Sequence, residues 1–154
     1  MDSLNMDMNT DQSKQPGATP EEVQQIIDVM FKYFKKETGS EEKANQYING
    51  VADLITKNPS AKLIQLGNTV FLVLVNSPGV VEVHTMAADE QSATLAKNFV
   101  TLTNILKNMG TKQAYTYSDD PRFAAVAKRT RLPFETSKIK KDGKEYTVYT
   151  VEFK

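Results

Sequence analysis

Apolar residues recur every three to four positions in two stretches near the start of the chain. Val23, Ile26, Ile27, Met30, Phe31 and Phe34 make one stripe. Ala44, Tyr47, Ile48, Val51, Leu54 and Ile55 make the next. This period predicts two amphipathic helices. Thr19-Pro20-Glu21-Glu22 supplies the first with a cap, a proline at its first turn and a capping-box glutamate. Gly39 ends that helix, Ser40 caps the second, and Asn58-Pro59 stops it.

The period then shortens to that of strands. Residues 62–66 and 69–75 are rich in Leu, Ile and Val around Gly67-Asn68, a two-residue hairpin turn. Asn76-Ser77-Pro78-Gly79 is a turn with Pro and Gly placed for type II, and residues 80–85 form a third strand. The run 71–75 is apolar throughout, which predicts a central strand covered on both faces. A long helix over 90–109 follows, with Asp89 as its cap, Leu95, Phe99, Leu102, Leu106 and Met109 as its stripe, and Gly110 at its end. Residues 113–117 form a strand, and Asp120-Pro121 opens a short helix bearing Phe123, Val126 and Ala127. Residues 134–140 and 145–153 make a last hairpin around Asp142-Gly143. Tyr146 and Val148 fall on one face of its second strand, and Tyr149, Val151 and Phe153 on the other. That pattern predicts a bulge or burial on both sides.

The chain has 154 residues, 40% of them hydrophobic, enough for one domain with its own core. The expected organisation is a disordered acidic tail over residues 1–18 and a single domain over 19–154. With no Cys, disulfides and thiolate metal sites are excluded. One His and scattered carboxylates do not supply a metal ligand set. No apolar run reaches the length of a membrane span, and no secretory leader is legible, so a soluble protein is expected. Net charge is zero, but residues 1–22 sum to −4 and residues 121–154 to +5. That basic excess is small for a nucleic-acid binder, so nucleic acid is not expected as a partner.

The order helix, helix, three antiparallel strands, long helix, strand, short helix, hairpin resembles the GNAT acetyltransferase superfamily over residues 20–154. Gln113-Ala-Tyr-Thr-Tyr117, Ser118-Asp-Asp-Pro121, Phe123-Ala-Ala-Val-Ala-Lys-Arg129 and Leu132-Pro-Phe134 carry the local likeness. The resemblance implies an α+β fold with a central, mostly antiparallel, twisted sheet and helices on both faces. It also implies a pyrophosphate loop between the third strand and the long helix, which in the family reads Gln/Arg-x-x-Gly-x-Gly/Ala. Here that stretch is Met86-Ala87-Ala88-Asp89-Glu90-Gln91-Ser92, with no glycine and no basic residue. Asp89 and Glu90 are expected to occupy the positive end of the helix dipole, where phosphates would sit. Met86, Ala87, Gln91 and Ser92 are the remaining cofactor-binding candidates.

The family's general acid is a Tyr four residues before the Gly of a "GF" pair. Taking Pro133-Phe134 as that pair puts Arg129 at the position and Lys128 beside it, and both hold their protons too tightly at neutral pH. Tyr115 and Tyr117 are candidate substitutes, and His84, the sole His, is a candidate base. Asp119-Asp120 reads as paired carboxylates or as a helix cap before Pro121. The resulting expectation is a non-catalytic GNAT-like domain that holds no cofactor. It would serve in the assembly of a bacteriophage virion, in the virion or the host cytoplasm, and meet protein partners through residues 1–18. The alternative is an active acetyl-CoA-dependent N-acetyltransferase with an atypical loop.

Overall fold

The computed structural model describes residues 19–153. Four helices and six strands follow in the order α1 (Pro20–Thr38), α2 (Glu41–Lys57), β1 (Lys62–Leu66), β2 (Thr69–Ser77), β3 (Val80–Ala87), α3 (Ser92–Asn108), β4 (Gln113–Ser118), α4 (Pro121–Thr130), β5 (Glu135–Lys141) and β6 (Lys144–Glu152). The strands form one sheet in the order β1-β2-β3-β4-β6-β5. β4 runs parallel to β3 and antiparallel to β6, and β5 and β6 are antiparallel. The fold is therefore mixed α+β, as the order of elements predicts. The expected acidic tail over residues 1–18 lies outside the described residues. No described helix is long and apolar enough to cross a membrane.

The chain gathers into two compact units, residues 19–70 with Met86–Ala88, and Phe71–Thr85 with 89–153. In the first, Thr19 closes a capping box with Glu22, its hydroxyl accepting from the Glu22 N–H. Gly39 ends α1 in the left-handed conformation, and Ser40 caps α2. Phe34 of α1 stacks on Tyr47 of α2 at 5.1 Å, and Val29, Met30 and Ala44 are buried.

In the second unit, α3 buries Ala96, Phe99, Leu102 and Leu106. Phe99 meets Phe71 of β2 edge-on at 5.1 Å and Phe123 of α4 at 5.4 Å. Phe123 in turn meets Tyr149 of β6 at 4.9 Å. Edge-to-face contacts of this kind add to the stability that burial alone gives. The expected cover on both faces of β2 holds through Val73, after which the strand emerges and Val75 is exposed. The last strand has no bulge, because its registers with β4 and β5 are continuous. Instead one face is buried at Tyr149 and Val151 and the other half-buried at Tyr146 and Val148.

Gly79 is required by its surroundings. Its φ is +78°, and a Cβ there would lie 2.9 Å from the Lys112 side chain. Its carbonyl accepts from the Lys112 and Gln113 N–H groups, which brings the start of β4 against the start of β3.

Candidate active site

The parallel ladder between β3 and β4 is short. It pairs Val80 with Gln113, Val81 with Ala114 and Glu82 with Tyr115, and then stops, although both strands continue. β4 stays paired with β6 through Ser118. Beyond Glu82 and Tyr115 the two parallel strands therefore part, and their facing edges have no ladder partner in each other. Alternation along a strand places Glu82 and His84 on one face of the sheet with Tyr115 and Tyr117. Val83, Ala114 and Thr116 point to the opposite face, where with Phe99, Leu106 and Phe134 they line a narrow apolar crevice.

Of the three catalytic candidates, the structure brings His84 and Tyr117 together, their rings edge-on with centroids 5.9 Å apart. Tyr115 is committed elsewhere. Its hydroxyl donates to Glu82 Oε1 at 3.0 Å and accepts from the Asn76 amide. Burial raises the Tyr115 pKa, and the hydrogen bond to the Glu82 carboxylate raises it further. Tyr115 thus orients Glu82 and holds its own proton. Tyr117 Oη accepts from Lys141 Nζ at 2.9 Å, and its ring meets Tyr146 edge-on at 5.5 Å. The phenol oxygen holds the Lys141 ammonium and raises its pKa.

Glu82 is the residue that sequence reasoning missed. Its carboxylate accepts from Asn76 Nδ2 at 3.2 Å and from Tyr115, and pairs with His84 Nε2. Burial alone would raise its pKa. The hydrogen bonds from Asn76 and Tyr115, with His84 beside it, outweigh burial and hold it below the ordinary carboxylate range. Glu82 and His84 share a face at a two-residue spacing, and so do Tyr115 and Tyr117, which is a legible signal. That β3 and β4 are neighbours is not legible locally. Asn76, Lys141 and Tyr146 join the cluster from three further strands.

The other candidates take structural places. Asp120 caps α4, accepting from the Arg122 N–H at 2.9 Å, and Asp119 pairs with Lys144 at 2.5 Å. Lys128 and Arg129 lie exposed in the last turn of α4. Met86 is buried near the end of β3 and Ala87 closes that strand, both within the first unit. Gln91 is the N-cap of α3 but makes no side-chain cap bond, and Ser92 is the first helical residue.

Here the expected placement of Asp89 and Glu90 needs correction. α3 begins at Ser92, so its first turn contains no acidic residue. Asp89 turns the chain beforehand in the left-handed conformation, at φ 55°, a shape that Asp tolerates. The Glu90 carboxylate accepts from Asn98 Nδ2 at 2.9 Å. One further polar group stands out in the second unit. Thr85 Oγ1, beyond the end of the β3–β4 ladder, is buried and has no hydrogen-bond partner among the described residues.

No family model and no curated protein matches the chain. Solved structures do. RimL, a ribosomal L7/L12 alpha-N-protein acetyltransferase in complex with coenzyme A, is 15% identical over 88% of this chain and 90% of its own, with a TM-score of 0.59. Ribosomal-protein-alanine N-acetyltransferase from Brucella melitensis is 10% identical over 88% and 97%, with a TM-score of 0.56. PaiA N-acetyltransferase from Thermoplasma acidophilum, in complex with coenzyme A, is 10% identical over 88% and 96%, with a TM-score of 0.55. The fold of this chain is thus that of the GNAT acetyltransferases. The expectation of no cofactor is corrected, because proteins of this fold are crystallised with coenzyme A. α3 starts two residues later than the sequence predicts, so Asp89 and Glu90 precede its cap and do not stand in its first turn.

Proposed function

We propose that the protein is an acetyl-CoA-dependent N-acetyltransferase. The observation that carries this reading is the parting of β3 and β4 beyond Glu82 and Tyr115, with His84 and Tyr117 side by side there. The residues present fit the ligand. Parted strands offer backbone N–H and C=O groups at strand spacing, suited to the two amides of a pantetheine arm. Thr85 Oγ1 is a buried hydroxyl in want of a partner on the same stretch of β3. The leading N–H groups of α3 have no intrahelical acceptors, no side-chain cap and no acid in the first turn, which suits a phosphate.

When bound, acetyl-CoA supplies an activated acetyl thioester. His84, oriented through Nε2 by Glu82, accepts the proton of the acceptor amine at Nδ1. Tyr117 Oη carries a proton to give to the departing sulfur, and the Lys141 ammonium beside it offsets negative charge. The competing reading, a non-catalytic domain of a phage virion, draws on the absence of glycine and basic residues from 86–92. Asp89 reaches the left-handed conformation without glycine, and none of the three structures above is described as a virion protein.

Calorimetry against coenzyme A and acetyl-CoA tests the proposal, followed by mass spectrometry of peptide α-amines, lysine side chains and polyamines incubated with acetyl-CoA. Binding with a Kd on the order of micromolar is expected. His84→Ala should lower the rate by roughly 10²-fold or more without abolishing coenzyme A binding. Absence of binding up to about 1 mM would overturn the reading.

A further inference from the structure

We propose that Glu82 is a positioning residue that holds the His84 imidazole in its Nε2–H tautomer and leaves Nδ1 unprotonated. The role of Nδ1 as the base rests on the transferase reading above; the tautomer itself does not. Glu82 Oε1 is taken by two donors, Tyr115 Oη at 3.0 Å and Asn76 Nδ2 at 3.2 Å. Oε2 pairs with His84 Nε2. An ionised carboxylate only accepts, so the nitrogen that meets it carries the proton. Neutral imidazole has one N–H, which puts the lone pair on Nδ1. Asn76 and Tyr115 come from strands on either side of β3 and keep the carboxylate from swinging away.

The charged and titratable groups around this pair do not compete for it. On β4, Tyr115 donates to Glu82, and Tyr117 is engaged by Lys141 from the end of β5. On β6, Tyr146 meets the Tyr117 ring, and Lys144 is held by Asp119. Asn76 on β2 is neutral. Among the described residues His84 is the basic side chain that pairs with Glu82, and Lys141 acts on the carboxylate only through its charge.

The tautomer can be measured directly, because His84 is the sole histidine of the chain. Long-range ¹H–¹⁵N correlation spectra of the full-length protein, above the imidazole titration, report the protonation of each ring nitrogen separately. An excess of Nε2–H of about ten- to a hundredfold is expected, the range set by a charge-assisted hydrogen bond. Glu82→Gln carries a sharper expectation. With two donors still aimed at the Oε1 position, the new amide oxygen settles there and its NH₂ faces His84. Nε2 must then accept, so the tautomer inverts to Nδ1–H. Glu82→Asp, which keeps a carboxylate, should retain the Nε2–H form in reduced excess.

A packing role alone would not reverse the proton between the two nitrogens. A wild-type spectrum with Nδ1 protonated, or with the two tautomers equal, overturns the proposal even if neither variant folds. An unchanged tautomer in folded Glu82→Gln overturns it as well. These spectra require no coenzyme A and no acceptor. Failure of the transferase reading would show in the calorimetry, and failure of this proposal in the imidazole nitrogens.

Discussion

Both carboxylate oxygens of Glu82 are occupied by neighbours from other positions on the chain, and this makes its ionisation a stability term. Its folded pKa lies below the ordinary carboxylate range, because hydrogen bonds to the charged form outweigh burial. A depressed pKa means that the stabilisation is fully present above the unfolded value and is lost as pH falls through the folded one. Urea unfolding of wild type and Glu82→Gln should therefore differ most near neutrality, with the gap narrowing as the pH is lowered to about 3. A gap independent of pH would show that the carboxylate charge contributes nothing. Asp89 carries a different lesson at this scale. A residue type that reads as a helix cap serves instead as a left-handed turn two residues ahead of the cap. Asp favours both places for the same reason, a short side chain that bonds nearby backbone.

At the scale of elements, hydrophobic spacing and turn chemistry located every helix and strand. The boundaries moved by one or two residues, as frayed ends and caps dictate. α3 contributes two fully buried leucines to the core of the second unit, Leu102 and Leu106, each 1% exposed on one stripe. Leu102→Ala should cost about 2–5 kcal/mol, measured by chemical denaturation, because the cavity it leaves lies among packed side chains. A cost below about 1 kcal/mol would mean that the site collapses or that α3 is not central to the core. β5 is exposed along its whole length at the edge of the sheet, and Lys138, Lys140 and Lys141 blunt that edge against pairing with other chains.

For the molecule as a whole, the consequential feature is the sheet order, in which β4 comes to lie between β3 and β6. One parallel pair results, β3 with β4, and the parting of that pair is what the proposed ligand would exploit. If coenzyme A binds only the folded chain, a concentration a hundred times its Kd should stabilise it by about 2.7 kcal/mol, seen as a rise in Tm. The same rise should be smaller in Thr85→Val, which keeps the shape but removes the unpaired hydroxyl. Equal shifts in both proteins would remove Thr85 from the site.

Local sequence determined the helices, the hairpins and their caps, because these depend on spacing and on residues within a few positions of one another. Thr19 with Glu22, Gly39, Gly67-Asn68 and Asp142-Gly143 all act at that range. It also singled out His84, Tyr115 and Tyr117 by residue type. Tertiary structure decided what each of them does. Tyr115 and Glu82 are 33 positions apart, Tyr115 and Asn76 39, and Lys141 and Tyr117 24. Only strand order and register bring such pairs within hydrogen-bonding reach. Register also sorted the two tyrosines, giving one to the Glu82 carboxylate and the other to the Lys141 ammonium, a distinction that identical side chains two residues apart could not carry in sequence.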